Sequence, residues 1–141
     1  MAAITEKVVK DYVAAVNSHN VEKIASFFTD DCVFEDRAFG IVSHGKKELK
    51  DIFSATFVAS PDLKVKLTSF FSSGNWIASE WVMSGTSVGD FLGAKGTGKK
   101  WSVQGASITQ SSKGKIKRDS DYYNLATILQ QMGLLPETPS Q

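Results

Sequence analysis

Residues 114–133, running Gly-Lys-Ile-Lys-Arg-Asp-Ser-Asp-Tyr-Tyr-Asn-Leu-Ala-Thr-Ile-Leu-Gln-Gln-Met-Gly, change their hydrophobic period midway, and this limits the folds open to the chain. The first part alternates. Ile116, Arg118, Ser120 and Tyr122 are expected on one side of a strand, with Lys117, Asp119, Asp121 and Tyr123 on the other. From Leu125 the spacing becomes helical, with Leu125, Ile128, Leu129 and Met132 on one face. Gly133 and Pro136 end that helix. A last strand thus hands over directly to a last helix, and Asp121 stands at the junction beside two tyrosines. A carboxylate facing an interior there is either a proton-transfer group or a costly burial. Its plainer alternative is to cap the helix.

The rest of the chain supplies what this strand and helix pack against. Ile4, Val8, Tyr12, Val13 and Val16 recur at helical spacing opposite Glu6, Lys7, Lys10 and Asp11. Asn17-Ser18-His19-Asn20 breaks that helix, and Asn20 caps a short second one carrying Val21, Ile24, Phe27 and Phe28. Asp30-Asp31 reads as a turn, 32–36 as a short strand and 40–45 as a loop. A third helix turns Leu49, Ile52, Phe53 and Phe57 inward and ends at Ser60-Pro61-Asp62. Beyond Pro61 the period is two. Leu63, Val65, Leu67 and Phe71 alternate with Lys64, Lys66 and Thr68. Segment 76–84 is apolar on both faces apart from Glu80 and should be a strand covered on both sides; 101–110 alternates again after a glycine-rich connection. These patterns predict an α+β domain, with three N-terminal helices and one C-terminal helix covering a curved, mainly antiparallel sheet and enclosing a pocket. Residues 1–136 are expected to form that single domain, with 137–141 a loose tail.

Composition closes several other routes. At 141 residues and net charge +1, the chain can bury a core but carries no strongly basic face for nucleic acid. Its lysines at positions 95, 99, 100, 113, 115 and 117 read as solvated strand ends. One cysteine allows no internal disulfide, and Cys32 reads as a buried, inert strand thiol. No signal-like or membrane-spanning run is visible, so a cytoplasmic location is the expectation. Residues 93–100 come close to a phosphate-binding loop. However, Lys100 replaces the required hydroxyl, and a strand follows where a helix is needed. His19 and His44, the only histidines, lack a second ligand at metal spacing and are expected to be solvated or capping; no metal or other cofactor is expected.

Four acids fall on or near strands. Asp36 has Arg37 beside it, Glu80 could pair with Lys66 or Arg118, and Asp119 could be solvated among lysines. Asp121 is the candidate catalytic group. Tyr12, Asp36, Phe53, Trp81, Trp101, Ser107 and Tyr123 are the candidate substrate-binding residues. So many aromatic side chains imply an apolar interior suited to a small, flat molecule, in which a carboxylate with a raised pKa can move a proton beside a carbonyl.

The chain resembles the SnoaL-like polyketide cyclases of the NTF2-like superfamily over nearly its whole length. The matching features are a first helix ending in Asn-Ser-His-Asn, then Phe-Phe-Thr-Asp-Asp, His-Gly-Lys before the third helix, and Gly85-Thr-Ser-Val-Gly-Asp-Phe-Leu-Gly93. Thr97-Gly-Lys, Gly114-Lys-Ile and Gln130-Gln-Met-Gly133 complete them. The resemblance implies a cone-shaped fold and a cofactor-independent aldol closure. Its general acid/base is an aspartate seven residues after the glycine of Gly-Lys-Ile, the position of Asp121. A pocket histidine of those cyclases falls at Ser107 and a second aspartate at Asn124, so carbonyl polarisation needs another donor, for which Ser107, Gln104 or a tyrosine is available.

Two functions follow as expectations. One is an acid/base enzyme of the cyclase, lyase or isomerase kind acting on a small apolar carbonyl compound. The other is a non-catalytic domain that holds a ligand or dimerises. A homodimer through the outer sheet face is expected, with Trp76, Ile108 and Tyr122 as the exposed apolar contacts.

Overall fold

In a computed structural model that describes residues 4–136, local chemistry sets the first elements. Thr5 accepts the Val8 N–H and opens helix α1 (Glu6–Asn17); Asn20 accepts the Lys23 N–H and opens α2 (Val21–Ala25). Strands β1 (Phe28–Asp36) and β2 (Ile41–His44) come before helix α3 (Gly45–Ala59). Then follow β3 (Lys64–Ser73), β4 (Trp76–Thr86), β5 (Lys100–Ser112), β6 (Lys115–Tyr123) and α4 (Leu125–Gln131). The six strands form one sheet in the order β2-β1-β6-β5-β4-β3, antiparallel except for β1 beside β6. The α+β architecture is as expected, but between α2 and α3, where one short strand was expected, two strands lie, β1 and β2. The expected tail, 137–141, lies outside the described residues.

Several local expectations are corrected. Asp30 and Asp31 are not a turn but part of β1, and the supposed loop at 40–45 contains β2, an edge strand paired with β1 from Val33↔His44 to Asp36↔Ile41. Four residues are too few to show a period. His19 is neither solvated nor a cap. Its ring stacks on Phe57 with centroids 4.1 Å apart, and its Nε2 lies 2.8 Å from the Leu63 carbonyl, tying the end of α1 to the approach of β3. His44 occupies the N-cap position of α3 without a side-chain capping bond.

Two bulges decide which side chains face inward. Between Leu67↔Trp81 and Ser69↔Glu80, β3 advances two residues while β4 advances one, so Thr68 is extra. Phe70 therefore packs against the core and Phe71, expected inside, is 67% exposed. Between Gln110↔Arg118 and Ser111↔Ile116, β6 has the extra residue, Lys117. Ile116, expected to share a side with Arg118, instead joins Asp119, Asp121 and Tyr123 on the cavity wall.

Helices α1, α3 and α4 cover one face of the sheet, and Phe28, Ile24, Leu49 and Cys32 lie fully buried between the layers. At roughly 25 cal/mol per Å² of apolar surface, burying such side chains supplies a few kcal/mol each, and most of the drive to close the layers. The outer face has no such cover among the described residues. Segment 76–84 is thus covered on one side only, and Trp76, Ile108 and Tyr122 are 45%, 43% and 45% exposed. No helix among the described residues is long and apolar enough to cross a membrane.

Candidate functional site

Helices α1, α3 and α4 do not close completely onto the sheet, and a cavity of about 190 Å³ remains between them. Its walls are Val8, Tyr12 and Val16 from α1, Ile52, Phe53 and Phe57 from α3, Ile128 and Leu129 from α4, and the inward side chains of five strands. All eight candidate residues, Tyr12, Asp36, Phe53, Trp81, Trp101, Ser107, Asp121 and Tyr123, line it. Only some belong to one polar corner. Trp101 sits six residues before Ser107 on β5, on the order of 20 Å away along an extended strand, and Phe53 packs against Phe34, 5.2 Å between ring centroids.

The corner is built from register. Ser107 stands opposite Asp121, and Thr109 opposite Asp119, across the β5–β6 ladder. Each hydroxyl donates to its partner: Ser107 Oγ to Asp121 Oδ1 at 2.6 Å, and Thr109 Oγ1 to Asp119 Oδ1 at 2.7 Å. Ser107 in turn accepts the indole N–H of Trp81 at 2.8 Å, so its own hydrogen is directed at Asp121. Gly105 makes this possible. A Cβ there would lie 2.3 Å from the Trp81 ring, so only glycine lets the indole cross β5 and reach Ser107. On the other side of Gly105 lies its β6 partner Tyr123, whose ring centroid is 6.2 Å from that of Trp81.

Asp119 and Asp121 stand two residues apart on the inward side of β6, near enough for each to shift the other. Burial pushes the Asp121 carboxyl well above the usual carboxylate range. The charges of Asp119 and Asp36 push it further, and the Ser107 hydroxyl only partly opposes them. Asp119 is also raised by burial and by the charge of Glu35, against its interaction with Asp121 and the Thr109 hydrogen bond. The Tyr12 hydroxyl is raised first by burial, then by the charges of Asp119 and Asp121. Tyr123 is raised by burial and by Asp36, whose Oδ2 accepts the Tyr123 hydroxyl at 2.7 Å. No lysine, arginine or histidine lines the cavity among the described residues.

This arrangement settles the alternatives left open for the acids. Asp36 does not pair with Arg37. Its Oδ1 accepts the N–H groups of Ala38 and Phe39, which fixes the turn after β1, while Arg37 pairs with Glu35. Glu80 points outward and accepts from Ser69 rather than from Lys66 or Arg118. Asp119 is 4% exposed, not solvated. Asp121 does not cap α4; Asn124 does, accepting the Ala126 N–H. Gln104, considered as an enolate donor, is exposed on the outer face opposite Val82. Cys32 is buried as expected, and burial raises its thiol pKa. Asp119, Thr109 and Gly105 were absent from the sequence-derived site. The signal for Asp119 was present, because it shares parity with Asp121.

Comparison with known proteins agrees with this geometry. The model of the SnoaL-like polyketide cyclase family matches residues 6–132. The cyclase aurE of Calcarisporium arbuscula is 28% identical over 117 residues, spanning 79% of this chain and 80% of that protein. A protein of ketosteroid isomerase-like fold from Catenulispora acidiphila, solved in complex with trimethylamine, is 26% identical and superposes with a TM-score of 0.82 over 96% of this chain and 99% of its own. TsrD from Streptomyces laurentii shares the fold at 20% identity, with a TM-score of 0.81 over 94% and 99% of the two chains. With the family model spanning nearly all of the described residues, the chain belongs to the SnoaL-like polyketide cyclase family.

Proposed function

We propose that this protein is a cofactor-independent cyclase that uses Asp121 as general acid and base on a small apolar carbonyl compound. The observation that carries this is the polar corner itself: a half-buried carboxyl with a raised pKa, held by Ser107 and facing an apolar cavity without a lining cation among the described residues. A carboxyl whose pKa lies nearer neutrality is a stronger base than a solvated one and still a usable acid. In the proposed reaction Asp121 takes a proton from the carbon beside a carbonyl, leaving an enolate. That carbon attacks a second carbonyl of the same molecule, and Asp121 returns the proton to the resulting alkoxide.

A donor for the enolate oxygen is needed where related cyclases carry histidine. Ser107, Thr109 and Tyr123 already give their hydrogens to Asp121, Asp119 and Asp36. No such acceptor for the Tyr12 hydroxyl is found among the described residues, and Tyr12 lies close enough to feel both aspartates. We assign the donor role to Tyr12. Phe53, Trp81 and Trp101 bound the apolar walls. At about 190 Å³ the cavity lies below the roughly 300–1,000 Å³ usual for drug-sized ligands, which favours a compact one- or two-ring substrate.

The test is exchange of α-protons in D₂O, followed by NMR on a panel of β-dicarbonyls and small cyclic ketones. Asp121→Asn should slow exchange by about 10²–10⁴-fold. Equal rates in the variant and the parent would end the catalytic reading. The second reading, a ligand-binding domain, is favoured by Ser107, which cannot carry the charge of a histidine; there Asp121→Asn would leave ligand affinity unchanged. A homodimer through the outer face fits either reading, because Trp76, Ile108 and Tyr122 form an apolar strip on that face. A reducing compartment suits the buried, unpaired Cys32.

A further inference from the structure

Resting on the acid–base role given to Asp121 above, we propose that Asp119 is its positioning partner, and that the two carboxyls form one unit holding a single proton. The geometry is a ladder of two rungs. Ser107 and Thr109 each deliver one hydrogen to the aspartate directly opposite, at 2.6 and 2.7 Å. The two carboxyls stand two residues apart on the inward side of β6, lining the same cavity, and neither hydroxyl has a second hydrogen to place between them. Two neighbouring carboxylates repel, and no cation lines this corner among the described residues, so one proton held by the pair is what relieves them.

The surroundings fix which carboxyl keeps it. Facing Asp121 are Tyr12 from α1, Asp36 from β1, and Asp119 and Tyr123 from β6; β4, β5 and α4 contribute Trp81, Ser107, Thr109, Ile128 and Leu129, none of which titrates. Asp121 has the charges of Asp119 and Asp36 near it, and Asp119 has those of Glu35 and Asp121, so charge alone does not choose between them. Asp119 accepts the Thr109 hydroxyl, and its interaction with Asp121 also favours its ionised form. At rest the proton sits on Asp121 and the charge on Asp119. Asp121 becomes a base only when that proton leaves, so Asp119 sets the pH at which the reaction begins. No bond to carbon forms at Asp119; it acts through its neighbour.

Two measurements test this separately from the catalytic reading. The first is a ¹³C carboxyl NMR titration of the wild-type protein. Asp119 and Asp121 should each report the same two steps, because coupled groups titrate as a pair. Two independent single-step curves would overturn the proposal without reference to any substrate. The second is the pH profile of α-proton exchange for Asp119→Asn. Removal of the neighbouring charge should move the acidic limb to lower pH by roughly half a unit or more, while exchange at the plateau is kept within about tenfold. A folded variant with an unmoved limb would also overturn it. If Asp121→Asn leaves exchange intact while the paired titration is present, the catalytic reading fails and the shared proton stands.

Discussion

Glu35 and Asp119 lie on neighbouring strands, are 8% and 4% exposed, and have carboxyls that shift in opposite directions. Both are pushed up by burial. On the outer face, hydrogen bonds from Arg118 and Ser120 and the charges of Arg118 and Arg37 outweigh that push and hold Glu35 below the usual range. On the inner face the only donors are hydroxyls and another acid, and Asp119 and Asp121 stay above it. Low exposure alone thus does not set the charge: one such carboxyl is a structural anion and the other belongs to a proton-holding pair. Two things separate them: permanent cations are in reach of Glu35, and Asp119 lies deeper between the layers.

The largest way to sharpen this contrast is Asp121→Asn. Exchange should fall by about 10²–10⁴-fold, yet the protein should gain stability relative to wild type as pH rises. The sign follows from the raised folded-state pKa. Wild type binds this proton more tightly when folded, so that contribution is complete below the ordinary aspartate value near 3.9 and lost as pH climbs through the folded value. Urea midpoints at several pH values read it; a variant that tracks wild type at every pH contradicts it. Glu35→Gln should behave the opposite way. The Glu35 contribution is present above the ordinary carboxylate range and lost as pH falls through its lowered folded value, so the variant should lose about 1–3 kcal/mol near neutrality and progressively less in acid. Arg37 and Arg118 are partly exposed, which favours the low end.

Gly105→Ala tests the positioning of the corner without touching an ionisable group. The new methyl must displace the Trp81 ring, at a cost of about 1–3 kcal/mol, and the Trp81–Ser107 bond should be lost with a roughly tenfold fall in exchange. Unchanged indole NMR shifts would show that the ring had not moved. The smallest effect on chemistry is expected on the outer face. Ile108→Glu should leave exchange within about twofold while converting a dimer to a monomer by light scattering, because a buried, unpaired charge is too costly at an apolar interface. A wild-type protein that is already monomeric at micromolar concentration would remove the dimer from consideration.

Sequence by itself determined the order of the long strands, the inward side of Asp121 and the helices, except that α2 stops at Ala25 and Phe28, expected on it, opens β1. Their periods are carried by apolar side chains that must be buried somewhere: Val8, Tyr12 and Val16 in α1, and Ile128 and Met132 at the close. It also put Asp119, Asp121 and Tyr123 on one side, which the sheet keeps. Tertiary structure alone decided the rest. A bulge has no periodic signature, so only pairing with β4 and β5 reveals that Thr68 and Lys117 are extra and that Phe70 and Ile116, rather than Phe71, turn inward. Partners were also invisible along the chain. Arg37 is adjacent to Asp36 yet points to the other face, where Glu35 and Arg118 wait. The charge on a carboxyl depends on what folding brings within a few ångströms of it, and for Asp119 that was Thr109 and Asp121 with no cation, a fact held in the register of two strands.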